Sequence, residues 1–259
     1  MAENSASGDS APRAAEGGCP EGVPCWVDAQ LPDVEAGRRF YGELFGWTFE
    51  DRAETDGRTR APGSPVWALL DGEPVAGLAH KPDGRLPTVW TVYFATPDAE
   101  ALAARITRAG GQVVSAPLPV GELGTAALVT DPQGAVFALW QPAAHPGFGR
   151  RHEPGTFTWA ELYTTDTEAA NAFYGGLFHD ALFGPVAEPD FGRAPLSGVF
   201  PAEMPPHFLI HFGVEDCEAA LAAAVRLGGR VQVPPFDTSY GRAAVVADDQ
   251  GASFALLQR

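Results

Sequence analysis

WVDAQLPDVEAGRRFYGELFGWTF, residues 26–49, returns as WAELYTTDTEAANAFYGGLFHDAL, residues 159–182. Trp, an acid, Asp, Glu-Ala, Phe-Tyr-Gly and Leu-Phe recur at an offset of 133 (159 − 26). In both copies an alternating stretch gives way to a helical period, and the helix opens on an Asp with a Glu two residues later. Asp at that place caps free backbone N–H groups, and Glu in the first turn meets the positive end of the helix dipole. The first copy therefore predicts a strand near 23–31, a helix from Asp33 to about Leu44 or Phe45, and a stop at Gly46.

Working outward, two more pairs extend the repeat. DAEALAARITRAGGQVV from Asp98 matches DCEAALAAAVRLGGRVQV from Asp216, offset 118 (216 − 98), and DPQGAVFALWQ from Asp131 matches DDQGASFALLQ from Asp248, offset 117 (248 − 131). The falling offset predicts a second copy shortened in its middle strands and loops. Each copy also halves, because the stretches from Pro32 and Pro97 share the plan of acid, amphipathic helix, Gly and strand. The expected architecture is α+β, four βαβββ units in two tandem domains with cupped mixed sheets. The boundaries read as a disordered leader over 1–22, a first domain over 23–141, a Pro/Gly-rich linker over 142–156 and a second domain over 157–259.

The combination PDxExxxxFYxxLFGW with a closing DPxGxxFxL resembles the vicinal oxygen chelate superfamily of glyoxalases, bleomycin-resistance proteins and extradiol dioxygenases. The chain looks like the fused two-domain members common in actinobacteria. The resemblance implies paired units curved around a cavity. In metal-dependent members it implies a His seven residues before the capping acid, a His or Gln at the equivalent place in the next unit, and a Glu seven residues after the start of the final turn. Carried over position by position, these places hold Trp26, Thr91 and Ala138 in the first half and Trp159, Leu209 and Ala255 in the second. Trp, Leu and Ala cannot ligate a divalent ion and one Thr does not suffice. The expectation is no metal at the family site and no cofactor.

Strand alternation carries the neighbours into the same cavity. Trp26 brings Asp28 and Gln30, Trp159 brings Glu161 and Tyr163, Thr91 brings Tyr93, Leu209 brings His211, Ala138 brings Trp140 and Ala255 brings Leu257. Trp26, Gln30, Thr91, Trp140, Trp159, Tyr163, Leu209 and Leu257 are thus candidate ligand contacts in an apolar, aromatic cup. Asp28, Glu161, His211 and Tyr93 are candidate catalytic or orienting groups, a carboxylate with a proton donor or acceptor in each cup. If the first unit pairs with the fourth, Asp28 meets His211. If neighbours pair, Asp28 meets Tyr93 and Glu161 meets His211. The bland alternative is that these are hydrogen-bonded structural groups.

The charge of −16 argues against nucleic acid and anionic membrane as partners. No apolar run approaches the roughly 20 residues of a membrane span. Cys19, Cys25 and Cys217 show no metal-like spacing and read as free thiols of a cytoplasmic protein, with Cys25 pointing away from the cavity. His145 and His152 in the linker read as solvated. The chain reads as a monomer or weak homodimer, since fusion already supplies the partner module. Three functions follow. The first is metal-independent binding of a bulky, partly aromatic antibiotic or secondary-metabolite intermediate. The second is a tailoring enzyme (hydroxylase helper, isomerase or cyclase) using a carboxylate with His or Tyr. The third is a glyoxalase-type lyase, ranked last because the metal that would polarise its enediolate has no ligands.

Overall fold

The computed structural model describes residues 19–51, 65–81, 83–85, 87–185, 187, 190–197, 200 and 203–259. The first half contains β1 (Pro24–Leu31), α1 (Val34–Phe45), β2 (Thr48–Asp51), β3 (Val66–Leu70), β4 (Glu73–His80), β5 (Trp90–Ala95), α2 (Ala99–Arg108), β6 (Gln112–Val120), β7 (Gly124–Thr130) and β8 (Val136–Pro142). The second contains β9 (Phe157–Thr164), α3 (Thr167–Leu177), α4 (His179–Phe183), β10 (Phe191–Pro195), β11 (His207–Gly213), α5 (Cys217–Arg226), β12 (Arg230–Thr238), β13 (Gly241–Ala247) and β14 (Ser253–Gln258). Each half forms one mixed sheet, ordered β2-β3-β4-β1-β5-β8-β7-β6 and β10-β9-β11-β14-β13-β12. The third unit is abbreviated. Among the described residues it retains β9, α3 and a single further strand, β10, which pairs parallel to β9 as β4 pairs to β1. This is where the repeat offset fell from 133 to 118.

The four long helices share one start. Asp33, Asp98, Asp166 and Asp216 each accept from the N–H three residues on, at 2.8–3.0 Å, and Glu35, Glu100, Glu168 and Glu218 follow. Each cap contributes about 1 kcal/mol. Gly46 closes α1 at φ 74°, a conformation that a side chain would strain.

The sheets share one core between their helix-bearing faces. Phe94 of the first sheet packs on Phe208 of the second at 5.8 Å, and Trp90 packs on Phe212 at 5.0 Å. Leu31, Leu78, Phe137, Phe157, Phe191 and Phe254 are fully buried in the same cluster. The opposite faces, the two cups, therefore point away from one another.

The signature motifs join the halves. Tyr41 of α1 donates to Asp248 Oδ2 at 2.7 Å, and Asp248 Oδ1 accepts from the N–H groups of Gln250 and Ala252. Tyr174 of α3 donates to Asp131 Oδ2 at 3.2 Å, and Asp131 Oδ1 accepts from Gln133 and Ala135. Gln250 brackets the start of α1 through Asp33, as Gln133 brackets the start of α3 through Asp166. Each FYG helix is thus bolted to the D-x-Q-G turn of the other half, under a pseudo-twofold axis.

Residues 19–22, read from sequence as leader, belong to the fold. Gly22 donates to Ala95 O, Glu21 pairs with Arg105, and Cys19 packs on the core. The rest of the expected leader, 1–18, lies outside the described residues.

Candidate functional site: two unequal cups

β1 pairs antiparallel with β5, and β5 pairs parallel with β8, so the first cup is built from the first two units. β9, β11 and β14 repeat this in the second half. Neighbouring units therefore pair. The arrangement that would bring Asp28 to His211 is not adopted, because the two residues lie in different sheets. Register sets out the cup faces in rows. In the first cup Gly77, Asp28 and Thr91 lie in one row and Trp26, Tyr93, Ala138 and Leu128 in the next. In the second, Gly192, Glu161 and Leu209 lie in one row and Trp159, His211, Ala255 and Val245 in the next.

A glycine faces the carboxylate in each cup for one reason. A Cβ on Gly77 would meet Asp28 Cβ at 3.1 Å and Trp26 Nε1 at 3.2 Å. A Cβ on Gly192 would meet Trp159 Cζ2 at 2.6 Å and Glu161 Oε1 at 3.0 Å. The missing side chain is the space into which each indole and carboxylate turn.

In the first cup Tyr93 donates to Asp28 Oδ2 at 2.8 Å, and the buried Asp28 Oδ1 has no hydrogen-bond partner among the described residues. Burial raises the Asp28 carboxyl to about 6 against the opposing Tyr93 bond, and burial also drives the Tyr93 phenol well up. The cup is filled by the segment following β8. His145, only 3% exposed, lies 4.4 Å from Trp26, 4.3 Å from Trp67 and 5.7 Å from Trp140 between ring centres. The sequence reading of His145 as solvated is thus corrected: three indoles cover it. Trp140, placed as a ligand contact, donates its indole N–H to His145 O at 2.9 Å. Cys25 also departs from expectation. A register shift between Pro24 and Trp26 turns it into the apolar cluster of Trp26 and Trp140, where burial raises its thiol. Gln30 and Thr91 are half-buried on the same sheet face.

In the second cup Glu161 Oε2 accepts from Trp159 Nε1 at 2.7 Å. Burial raises its carboxyl, opposed by that bond and by Arg193. His211 stands beside Trp159 and one row diagonal to Glu161, a spacing of about 7 Å that a ligand group can bridge. Among the described residues its ring has no hydrogen-bond partner, and burial pushes it down to about 4, so it is a neutral imidazole at pH 7. Tyr163 and Leu209 pack with Leu196, Val245 and Ala255 as an apolar floor. Burial, then Glu161, push the Tyr163 phenol up to about 12. Phe200 meets Tyr163 edge-on at 4.8 Å, and His207 stacks on Tyr163 at 5.8 Å. Tyr240, 65% exposed, stacks on Trp159 at 5.9 Å. Leu257 is buried one strand away, opposite Ala243.

Sequence reasoning missed Trp67, Gly77, Gly192, Tyr240 and the cup-filling segment. The available signal for the last was two rings, His145 and Phe148, inside residues 142–149, a stretch otherwise made of Pro, Gly and Ala. The residues at the metal positions do not fit a divalent ion, as indole, isobutyl and methyl groups offer it no usable lone pair and the single hydroxyl of Thr91 is too few donors. Among the described residues there is also no group of three or more His, Cys, Asp or Glu arranged to hold one. A shallow groove of about 650 Å³, lined by Arg105, Arg108, Phe173 and Leu177, lies on the helix layer and belongs to neither cup. No described helix is long and apolar enough to cross a membrane.

Paired βαβββ units, sheets curved about outward cups and strand positions kept for cup-facing groups define a vicinal oxygen chelate architecture. The chain belongs to the Glyoxalase/Bleomycin resistance protein/Dioxygenase superfamily, whose model matches residues 26–139. It is 36% identical over 252 residues to the "Putative glyoxylase CFP32" of Mycobacterium tuberculosis, covering 92% of this chain and 95% of that one. It is 36% identical over 263 residues to the "Anthracycline biosynthesis protein DnrV" of Streptomyces peucetius, covering 92% and 93%. Among solved structures, the Mn(II)-bound glyoxalase from Novosphingobium aromaticivorans matches with a TM-score of 0.60 at 14% identity, covering 92% of this chain and 82% of that one. A homoprotocatechuate 2,3-dioxygenase from B. fuscum matches with 0.62 at 13%, covering 95% and 73%. At such identities the structural likeness speaks for the fold alone.

Proposed function

We propose that this protein binds a planar, oxygenated aromatic metabolite in its second cup, without a metal, as a carrier or sequestering protein of secondary metabolism. The observation that carries this reading is the contrast between the cups. The first is filled by the chain's own rings. The second combines an apolar floor, aromatic walls and two polar groups with hydrogen-bonding capacity to spare. A neutral imidazole accepts from, or donates to, a phenol or carbonyl, and the raised Glu161 does the same from the neighbouring row. Trp159, Tyr163 and Tyr240 offer faces for stacking. The relative named for anthracycline biosynthesis supports a ligand of that chemistry, a fused planar ring system bearing hydroxyl and carbonyl groups.

The specific observation favouring the second reading, a tailoring enzyme, is the pair itself. A carboxylate whose pKa is raised and an imidazole whose pKa is lowered are suited to moving a proton across a bound enol or phenol. One experiment separates the two. Purified protein is immobilised, exposed to a culture extract of its source organism, washed and denatured, and the released compounds are weighed by mass spectrometry. An aromatic compound retained at the mass it has in the extract supports carriage. A released compound absent from the extract supports turnover. Retention of nothing aromatic refutes both.

A further inference from the structure

We propose that the first cup is a ligand seat for a small planar heteroaromatic ring, kept closed by its own tethered occupant, His145. The seat is made by the fold and the occupant is delivered by the linker. Trp26 comes from β1, Trp67 from β3 and Trp140 from β8, strands that are not neighbours in the sheet. Trp26 and Trp67 lie 6.1 Å apart and tilted at 55°, and the imidazole fills the angle between them. It meets Trp26 edge-on at 87° and Trp67 at 39°. Three indoles converging on one ring from separate strands are a preorganised aromatic cage, and such cages bind flat, electron-poor or cationic groups.

The occupant arrives as a ligand would, except that it is covalently attached. His145 N donates to Leu123 O at 3.0 Å, Phe148 N to Cys25 O at 2.9 Å and Gly149 N to Pro74 O at 2.7 Å. These bonds hold the strap independently of the His145 ring, so the strap stays in place when the ring is removed. Gly147, at φ 120°, lets the chain pass against Cys25 O, where a Cβ would collide. Among the described residues no histidine is seated on Trp159, the equivalent position of the second cup. The proposal stands apart from the reading of the second cup, because its residues and its test lie wholly in the first.

The test is chemical rescue. His145→Gly leaves a ring-sized space between three indoles, and free imidazole is the probe. The variant should melt below the wild type. Imidazole should then raise its Tm, by about 3 °C at a concentration tenfold above its dissociation constant and further with the logarithm of concentration. Tryptophan fluorescence should change over the same range, while the wild type, its seat filled, responds to neither. Tetrahydrofuran, an uncharged saturated ring of similar size, should give less than a third of the shift. If the Gly variant does not fold, His145→Ala is titrated instead, and if neither folds, refolding yield against imidazole reads the same seat. A variant that imidazole fails to stabilise or refold, an equal response in the wild type, or an equal response to tetrahydrofuran would overturn the proposal.

Discussion

Tyr41→Phe and Tyr174→Phe each remove one oxygen from the bolts between the halves, yet the structure makes their costs unequal. Tyr174 donates to Asp131 at 3.2 Å, so its loss strands one buried carboxylate oxygen. Tyr41 donates to Asp248 at 2.7 Å and also accepts from Trp90 Nε1 at 3.0 Å, so its loss strands two buried groups. A buried polar group left without its partner costs about 1–3 kcal/mol. Tyr174→Phe should therefore cost about 1–2 kcal/mol and Tyr41→Phe about 2–4 kcal/mol. Urea unfolding at pH 7 measures both. The pH dependence has a definite sign. Burial already raises Asp248, and the Tyr41 hydroxyl opposes that rise. A carboxyl with a raised folded-state pKa supports folding at low pH and loses that support as pH rises through it. Removing the hydroxyl raises the pKa further, so the Tyr41→Phe deficit should be larger at pH 7 than at pH 4. Equal costs for the two variants, or a deficit that grows on acidification, would refute this account of the interlock.

Three further outcomes are expected. Asp28 is raised to about 6, so its ionisation weighs against the folded state by about 1–3 kcal/mol at pH 7.5. Asp28→Asn keeps an acceptor for Tyr93 and should gain stability relative to the wild type as pH rises from 4 to 7. Thermal melts across that range check it, and a pH-independent difference would contradict it. Gly192→Ala should displace Trp159 and Glu161 and weaken aromatic binding at least about tenfold, at a stability cost of about 1–3 kcal/mol, read by paired titration and unfolding. His211→Phe should keep the fold and lose affinity for a hydroxylated ligand while retaining it for the deoxy analogue, a difference calorimetry resolves.

The repeated stretches that run from Trp26 and Trp159 to the Phe-Tyr-Gly helices, with the D-x-Q-G turns, carried the fold because their residue types meet local demands: Asp caps, glycine stops and strand alternation. Strand alternation also put Asp28 on the face of Trp26, Tyr93 on that of Thr91, Glu161 on that of Trp159 and His211 on that of Leu209, since side-chain direction along a strand is a local property. What sequence left open was long-range. The pairing of the four units depends on which strand edges meet, and β1 and β9 look alike in either arrangement. The occupation of the first cup depends on where a Pro/Gly-rich linker folds back, and a period-based reading of PAAHPGFG contains no such information. The Phe-Tyr-Gly repeat was legible, but the Asp248 and Asp131 partners of Tyr41 and Tyr174 were not, because each bond spans the two halves.

Calorimetric titration of 1,8-dihydroxyanthraquinone into chelator-treated protein, beside the Trp159→Ala variant, tests the central claim most directly. The account predicts one saturable site per chain, unchanged by added Mn²⁺ and weakened at least about tenfold by Trp159→Ala, as loss of a stacking face should do. The absence of saturable binding, binding that requires the metal, or binding indifferent to Trp159 would contradict it.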